Sequence, residues 1–305
     1  MISALLFIAM LAAAEPPEAM KLARRAYEQA QSGQFVAAIA ALREAARLAP
    51  ANALYRSALG GIFEQQGQLT EAVAAFTEAV RLDPANQRIR SRLEAVSLDL
   101  GAALARERRY RAGLALARQT AAHFPDSSAA QLMLGLFLAR NQQNLAAVEA
   151  YRRALTINPG SADASVGLAI AQSSAGLAKE AQETLEAGLL RFPADAMHRQ
   201  ALGVLFAKLA EAGDSAAAAR ARTMLESALA LNPQLAEAHY QLGSLALALG
   251  YVTEALTRFD AAAQYGLDDS RLHYSAARAL RRAGRASEAG VRLELFRARK
   301  AAEQP

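Results

Sequence analysis

The sequence predicts an all-α fold, a right-handed α-solenoid (superhelix) of about eight antiparallel helix pairs. Three observations carry this expectation. The first is composition. The 305 residues are 53% apolar and 6% aromatic. Alanine alone supplies about a quarter, and Ala, Leu, Arg, Glu and Gln are good helix formers. Strand-favouring residues are sparse, which argues against a sandwich or a doubly wound sheet. The high apolar content and a net charge of only +5 exclude a disordered chain. The second is the prolines. Pro50, Pro84, Pro125, Pro159, Pro193 and Pro233 follow one another at intervals of 34, 41, 34, 34 and 40. A fixed period of this size marks a solenoid. The third is the text before each proline, as in LREAARLAP, FTEAVRLDP and YRRALTINP. Each is an amphipathic helix that the proline stops.

The elements follow in order. Residues 2–14, ISALLFIAMLAAA, are uncharged and apolar. Thirteen helical residues reach about 20 Å, short of a hydrocarbon core of roughly 30 Å, so no span is expected in the mature chain. Ala12 and Ala14 give the small-x-small pattern of a cleavage site, with Glu15, Pro16 and Pro17 beyond. Residues 1–14 are therefore expected to be an export signal and 15–18 a short linker, for a periplasmic or extracellular protein. No Lys or Arg precedes the apolar run, so an N-terminal membrane anchor is the alternative.

Unit one (19–52) turns at Gly33 and closes at Pro50. Unit two (53–86) is the clearest: a helix over 53–66, Gly67-Gln68, and a helix over 69–82. Unit three (94–127) follows seven extra residues, 87–93, about two helical turns, which predict a longer first helix. Units four (128–161) and five (162–195) keep the period. Unit six (196–235) is six residues longer, about three in each helix around Gly213-Asp214. Units seven (236–269) and eight (270–303) turn at Gly250 and Gly284 but have Leu267 and Ala301 in place of the proline. Residues 304–305 are a tail.

Small residues recur where paired helices must touch: Ala26, Gly60, Gly101, Gly135, Ala169, Gly203, Gly243 and Ala277 on first helices, Ala38, Ala72, Gly113, Ala147, Ala181, Ala221, Ala255 and Ala289 on second helices. Leu42, Phe76, Tyr151, Leu185, Leu225, Phe259 and Leu293 supply bulk on the second helices. This pattern resembles the tetratricopeptide repeat family, with its 34-residue unit. The tryptophan often found at position 4 of that repeat is missing; Leu22, Arg56, Ser97, Gln131, Ser165, Arg199, His239 and His273 stand there.

The resemblance implies a non-enzymatic scaffold or adaptor. First helices would line a concave groove that binds a peptide or helix of a partner protein. It does not identify the partner. One subgroup grips a carboxylate with Lys and Asn at positions 5 and 9, and no unit here has that pair. Nor is there an asparagine ladder at position 6. Instead Leu132, Leu136, Val166, Ile170 and Val204, with Tyr240 further on, face the expected groove and offer an apolar floor. The other reading is that they pack against neighbouring first helices.

The last unit differs. Arg271, Tyr274, Arg278, Arg281, Arg282 and Arg285 follow near-helical spacing. Segment 270–305 holds nine basic and three acidic residues, a net of +6, which leaves −1 for residues 1–269. A basic patch would suit an acidic peptide or an anionic membrane surface, the alternative function. A solvated cap is the other reading. Nucleic acid is not expected, because no stacking series of aromatics accompanies the arginines.

Catalysis finds no footing. The chain has no cysteine, which excludes disulfides, zinc–thiolate sites and a lipid-modified N-terminal cysteine. Its four histidines form no HExxH, and no GxGxxG, GxxxxGK[ST] or GxSxG occurs. No metal, no cofactor and no catalytic residue is expected.

Overall fold

The computed structural model describes residues 16–214 and 216–303. These form two compact bodies, one ending at Gln143 and one beginning at Asn144. Among the described residues there are sixteen helices and no strand.

The first body holds α1 (Pro17–Gln31), α2 (Phe35–Leu48), α3 (Ala53–Gln65), α4 (Leu69–Leu82), α5 (Gln87–Arg106), α6 (Tyr110–His123) and α7 (Ser128–Arg140). The second holds α8 (Asn144–Ile157), α9 (Ala162–Ser174), α10 (Ala178–Arg191), α11 (Ala196–Glu211), α12 (Ala217–Leu231), α13 (Ala236–Ala248), α14 (Val252–Gln264), α15 (Ser270–Arg282) and α16 (Ala286–Glu303). The candidate cleavage residues Ala12 and Ala14 lie outside the described residues. No helix among the described residues is long and apolar enough to cross a membrane.

The proline turns end in a cap. Asn52, Asn86, Ser127, Ser161 and Asp195 each stand two residues after a proline. Their side chains accept hydrogen bonds from the backbone N–H of Leu54, Ile89, Ala130, Ala164 and His198. Each turn thus stops one helix and starts the next, and such a cap is worth about 1 kcal/mol. Leu235, after Pro233, caps nothing with its side chain, whereas Asp269 caps α15 through Leu272 N–H without a proline.

Paired helices close on the small residues. A Cβ on Gly60 would lie 2.8 Å from the Phe76 ring, one on Gly203 2.6 Å from Leu225, and one on Gly243 2.7 Å from Phe259. Each pair sets a small first-helix residue against a large second-helix one. Leu42, Phe76, Tyr151, Leu185, Leu225 and Phe259 are buried accordingly. Leu293, on α16, is only half-buried.

The 20 residues of α5 account for the insertion before unit three. In unit six the extra residues do not divide evenly. α11 has 16 residues against 13 in α9, but α12 has 15 against 14 in α10. The remainder falls between the helices. There Gly213, at φ 106°, ends α11, and the Asp214 carboxylate accepts from the N–H groups of Ala216 and Ala217 to start the next helix.

Candidate partner-binding site

Three successive first helices of the second body build one cavity of about 470 Å³. α11 contributes Glu211; α13 contributes Tyr240, Ser244, Leu247 and Ala248; α15 contributes Arg271, Tyr274, Ser275 and Arg278. Spacings of three and four put each set on one helix face. The volume lies within the roughly 300–1,000 Å³ of ligand pockets.

Its polar groups differ in whether they have an ion-pair or hydrogen-bond partner. Arg271 is engaged: Nη2 lies 3.1 Å from Glu237 and 2.7 Å from Asp269, and the guanidinium sits 5.1 Å from the Tyr240 ring centroid. Burial pulls its pKa down, but the charges of Glu237 and Asp269 and their hydrogen bonds outweigh this and hold it well above the ordinary arginine value. Tyr240 Oη and Ser275 Oγ are 3.4 Å apart. The Tyr274 ring packs between Phe296, at 5.4 Å, and the Arg278 guanidinium, at 5.9 Å. Three groups are left over. Among the described residues neither Arg278 nor Glu211 forms an ion pair. Ser244 Oγ is shielded from solvent and has no hydrogen-bond partner.

The candidate residues of the apolar floor fall in both bodies and differ in burial. Leu132 and Leu136 are half-buried on α7, in the first body. In the second body Val166 is buried in the core beside Leu202 and Leu205, so it packs and offers no surface. Val204 packs partly buried against Leu225, Ala238 and Leu242. Ile170 is half exposed on α9. Of that set, Tyr240 alone lines the cavity.

The expected basic patch is also broken up. Arg271, Tyr274 and Arg278 converge on the cavity. Arg282 instead donates to the Leu247 carbonyl at 2.6 Å, and Arg285 pairs with Glu288 at 2.6 Å. Arg281 is exposed. Beyond them, Arg292 pairs with Asp260, Arg297 with Glu294 and Arg299 with Asp268. Unit seven carries five acidic residues and one basic, so much of the +6 counted over 270–305 is answered by its neighbour. A second hollow of about 210 Å³, lined by Leu256, Asp260, Leu280, Arg285, Glu288 and Arg292 among others, has its charges paired in this way.

Three histidines hold turns. His198 is fully buried, with Nδ1 2.5 Å from Asp195, Nε2 3.1 Å from Ser165 Oγ, and its ring stacked on Phe192. His239 Nε2 lies 3.0 Å from the Pro233 carbonyl, and His273 Nε2 lies 2.8 Å from Asp268. His239 and His273 also face Arg258 and Arg292 in the same way, each at 3.5 Å. At position 4 they replace the missing tryptophan as an anchor for the preceding turn. The 34-residue spacing between them was the visible signal of this shared role.

Tetratricopeptide repeat family models match residues 23–87, 98–162 and 240–302, and a second such model matches 138–205. No curated protein matches the sequence. The chain is similar in structure to a tetratricopeptide repeat protein from Parabacteroides merdae ATCC 43184: 21% identity, 87% of this chain and 100% of that one, TM-score 0.54. It is similar to pilF of Pseudomonas aeruginosa at 17% identity, over 70% of this chain and 99% of that one, TM-score 0.53. PilW, a type IV pilus biogenesis factor, aligns at 18% identity over 70% of this chain and 96% of that one, TM-score 0.54. At these identities the likeness speaks to the fold. With matched segments over most of its length and helix pairs closing on small residues, the chain belongs to the tetratricopeptide repeat family.

Proposed function

We propose that this protein is a non-enzymatic scaffold that binds a segment of a partner protein in the cavity of α11, α13 and α15. The observation that carries the proposal is a set of groups there that have no ion-pair or hydrogen-bond partner among the described residues. Arg278, Glu211 and the shielded Ser244 Oγ share one hollow with two tyrosines. The turn-holding roles of His198, His239 and His273 also leave them little part in chemistry.

The apolar run of residues 2–14, with Ala12 and Ala14 before Glu15-Pro16-Pro17, supports export and work in the cell envelope. The alternative, an anionic or membrane surface held by the last unit, is disfavoured by the carboxylates that engage Arg271, Arg285, Arg292, Arg297 and Arg299.

The test is photo-crosslinking in cells. A photoreactive side chain in place of Tyr274 is expected to capture a partner that the same group at exposed Leu190 does not. Equal capture at both positions, or none at Tyr274, contradicts the proposal.

A further inference from the structure

The cavity also specifies what it takes. Two ionised side chains of opposite sign, Glu211 and Arg278, line the same hollow. Neither forms an ion pair with the other or with any other described residue, although most charges of the last two units are in ion pairs. Glu211 is the last residue of α11, where the helix leaves partial negative charge on its terminal carbonyls. A carboxylate there is unfavourable until a cation joins it. Arg278 presents a planar fork of donors suited to a carboxylate.

The two tyrosine rings already have partners within the body. Tyr240 lies against Arg271 at 5.1 Å and Phe259 at 5.9 Å, and Tyr274 against Arg278 and Phe296. The charges of Glu211 and Arg278 are what the hollow adds to them. A polyanion is disfavoured, because Glu211 lines the cavity and Glu237 and Asp269 hold Arg271 beside it.

We propose that the cavity binds a mixed-charge peptide segment, one carboxylate on Arg278 and one ammonium or guanidinium at Glu211. This rests on the reading of the cavity as the partner site and names the chemistry of its ligand. The carboxylate is either an acidic side chain or a free C-terminus.

The test is selection of a phage-displayed random heptapeptide library on the full chain, followed by titration of synthetic copies. The expected winners carry one acidic and one basic residue at a fixed separation. Neutralising either peptide charge is expected to weaken binding at least tenfold. Arg278→Gln should abolish the dependence on the acidic group alone, and Glu211→Gln the dependence on the basic group alone; both positions are exposed, so the fold is kept. Copies with an acidic residue replaced by a free C-terminal carboxylate distinguish the two sources. Winners that are apolar or of one sign, indifferent to both substitutions but blocked by Ala248→Trp, overturn the mixed-charge inference and leave the partner site standing. No enrichment on the full chain over Ala248→Trp overturns the partner site itself.

Discussion

The Arg271 guanidinium lies 5.1 Å from the centroid of the Tyr240 ring while its Nη2 pairs with Glu237 and Asp269. One side chain thus ties α15 to α13 by charge and by its flat face. Arg292–Asp260 and Arg299–Asp268 add two more ties between the last two units. Exposed pairs contribute about 0.2–1 kcal/mol each, and salt screens them. Arg271→Ala is expected to destabilise the last unit by about 1 kcal/mol. Raising the salt concentration should speed amide exchange in α15 and α16 more than in α3 and α4, measured by mass spectrometry. Uniform exchange along the chain would contradict this.

Gly60 and Gly61 are neighbours with opposite tolerance. A Cβ at Gly60 would press on the Phe76 ring, whereas at Gly61 the nearest atom is 4.0 Å away on Arg92. Gly60→Ala is expected to cost about 1–3 kcal/mol by overpacking. Gly61→Ala should gain up to about 1 kcal/mol of helix propensity. Urea denaturation of the two variants checks the contrast, and Phe76→Leu should rescue Gly60→Ala in part.

Units three and four turn without glycine. Arg108 and Gln142 take its place at φ 57° and 61°, a left-handed geometry that costs a side-chain-bearing residue roughly 1–2 kcal/mol. Arg108→Gly and Gln142→Gly should therefore raise the melting temperature even though glycine is the more flexible residue. Gly67→Ala, at φ 72°, should lower it. A melting temperature that falls in all three would contradict the argument.

Asp195 links stability to pH. Burial pushes its carboxyl up, but hydrogen bonds from the His198 side chain and backbone, together with the His198 charge, outweigh this and hold it below the ordinary value. A depressed folded-state pKa means stability that is full above the unfolded value of about 3.9 and lost as pH falls through the folded value. Asp195→Asn keeps an N-cap but removes that charge. Its deficit against the parent should be largest at neutral pH and shrink as the solution is acidified toward pH 3. A deficit independent of pH would show that the cap alone matters.

The helix pairs were legible because small residues recur at the same offset from a large partner, as Gly60 does from Phe76 and Gly243 from Phe259, with Gly203 and Leu225 set further apart by the longer unit six. Periodicity assigns a face but not its depth, so Val166 read as a groove residue although it packs in the core. The capping residues two positions after five of the six repeat prolines are Asn, Ser or Asp, the residue types that favour an N-cap. The charge of the last unit is partly answered from outside that unit. Counting along the chain misses partners one repeat away, such as Glu237 for Arg271. What remained illegible was the cavity itself, since its free groups are defined only by which neighbours are already engaged.

Filling the hollow lined by α11, α13 and α15 is the most direct test of the partner site. Ala248 is exposed on its rim, so Ala248→Trp adds bulk there and leaves the core untouched. Calorimetric titration of the selected peptides into this variant is expected to show affinity at least tenfold weaker than the parent, with an unchanged melting temperature. Equal affinity in the two proteins would contradict the placement of the partner site.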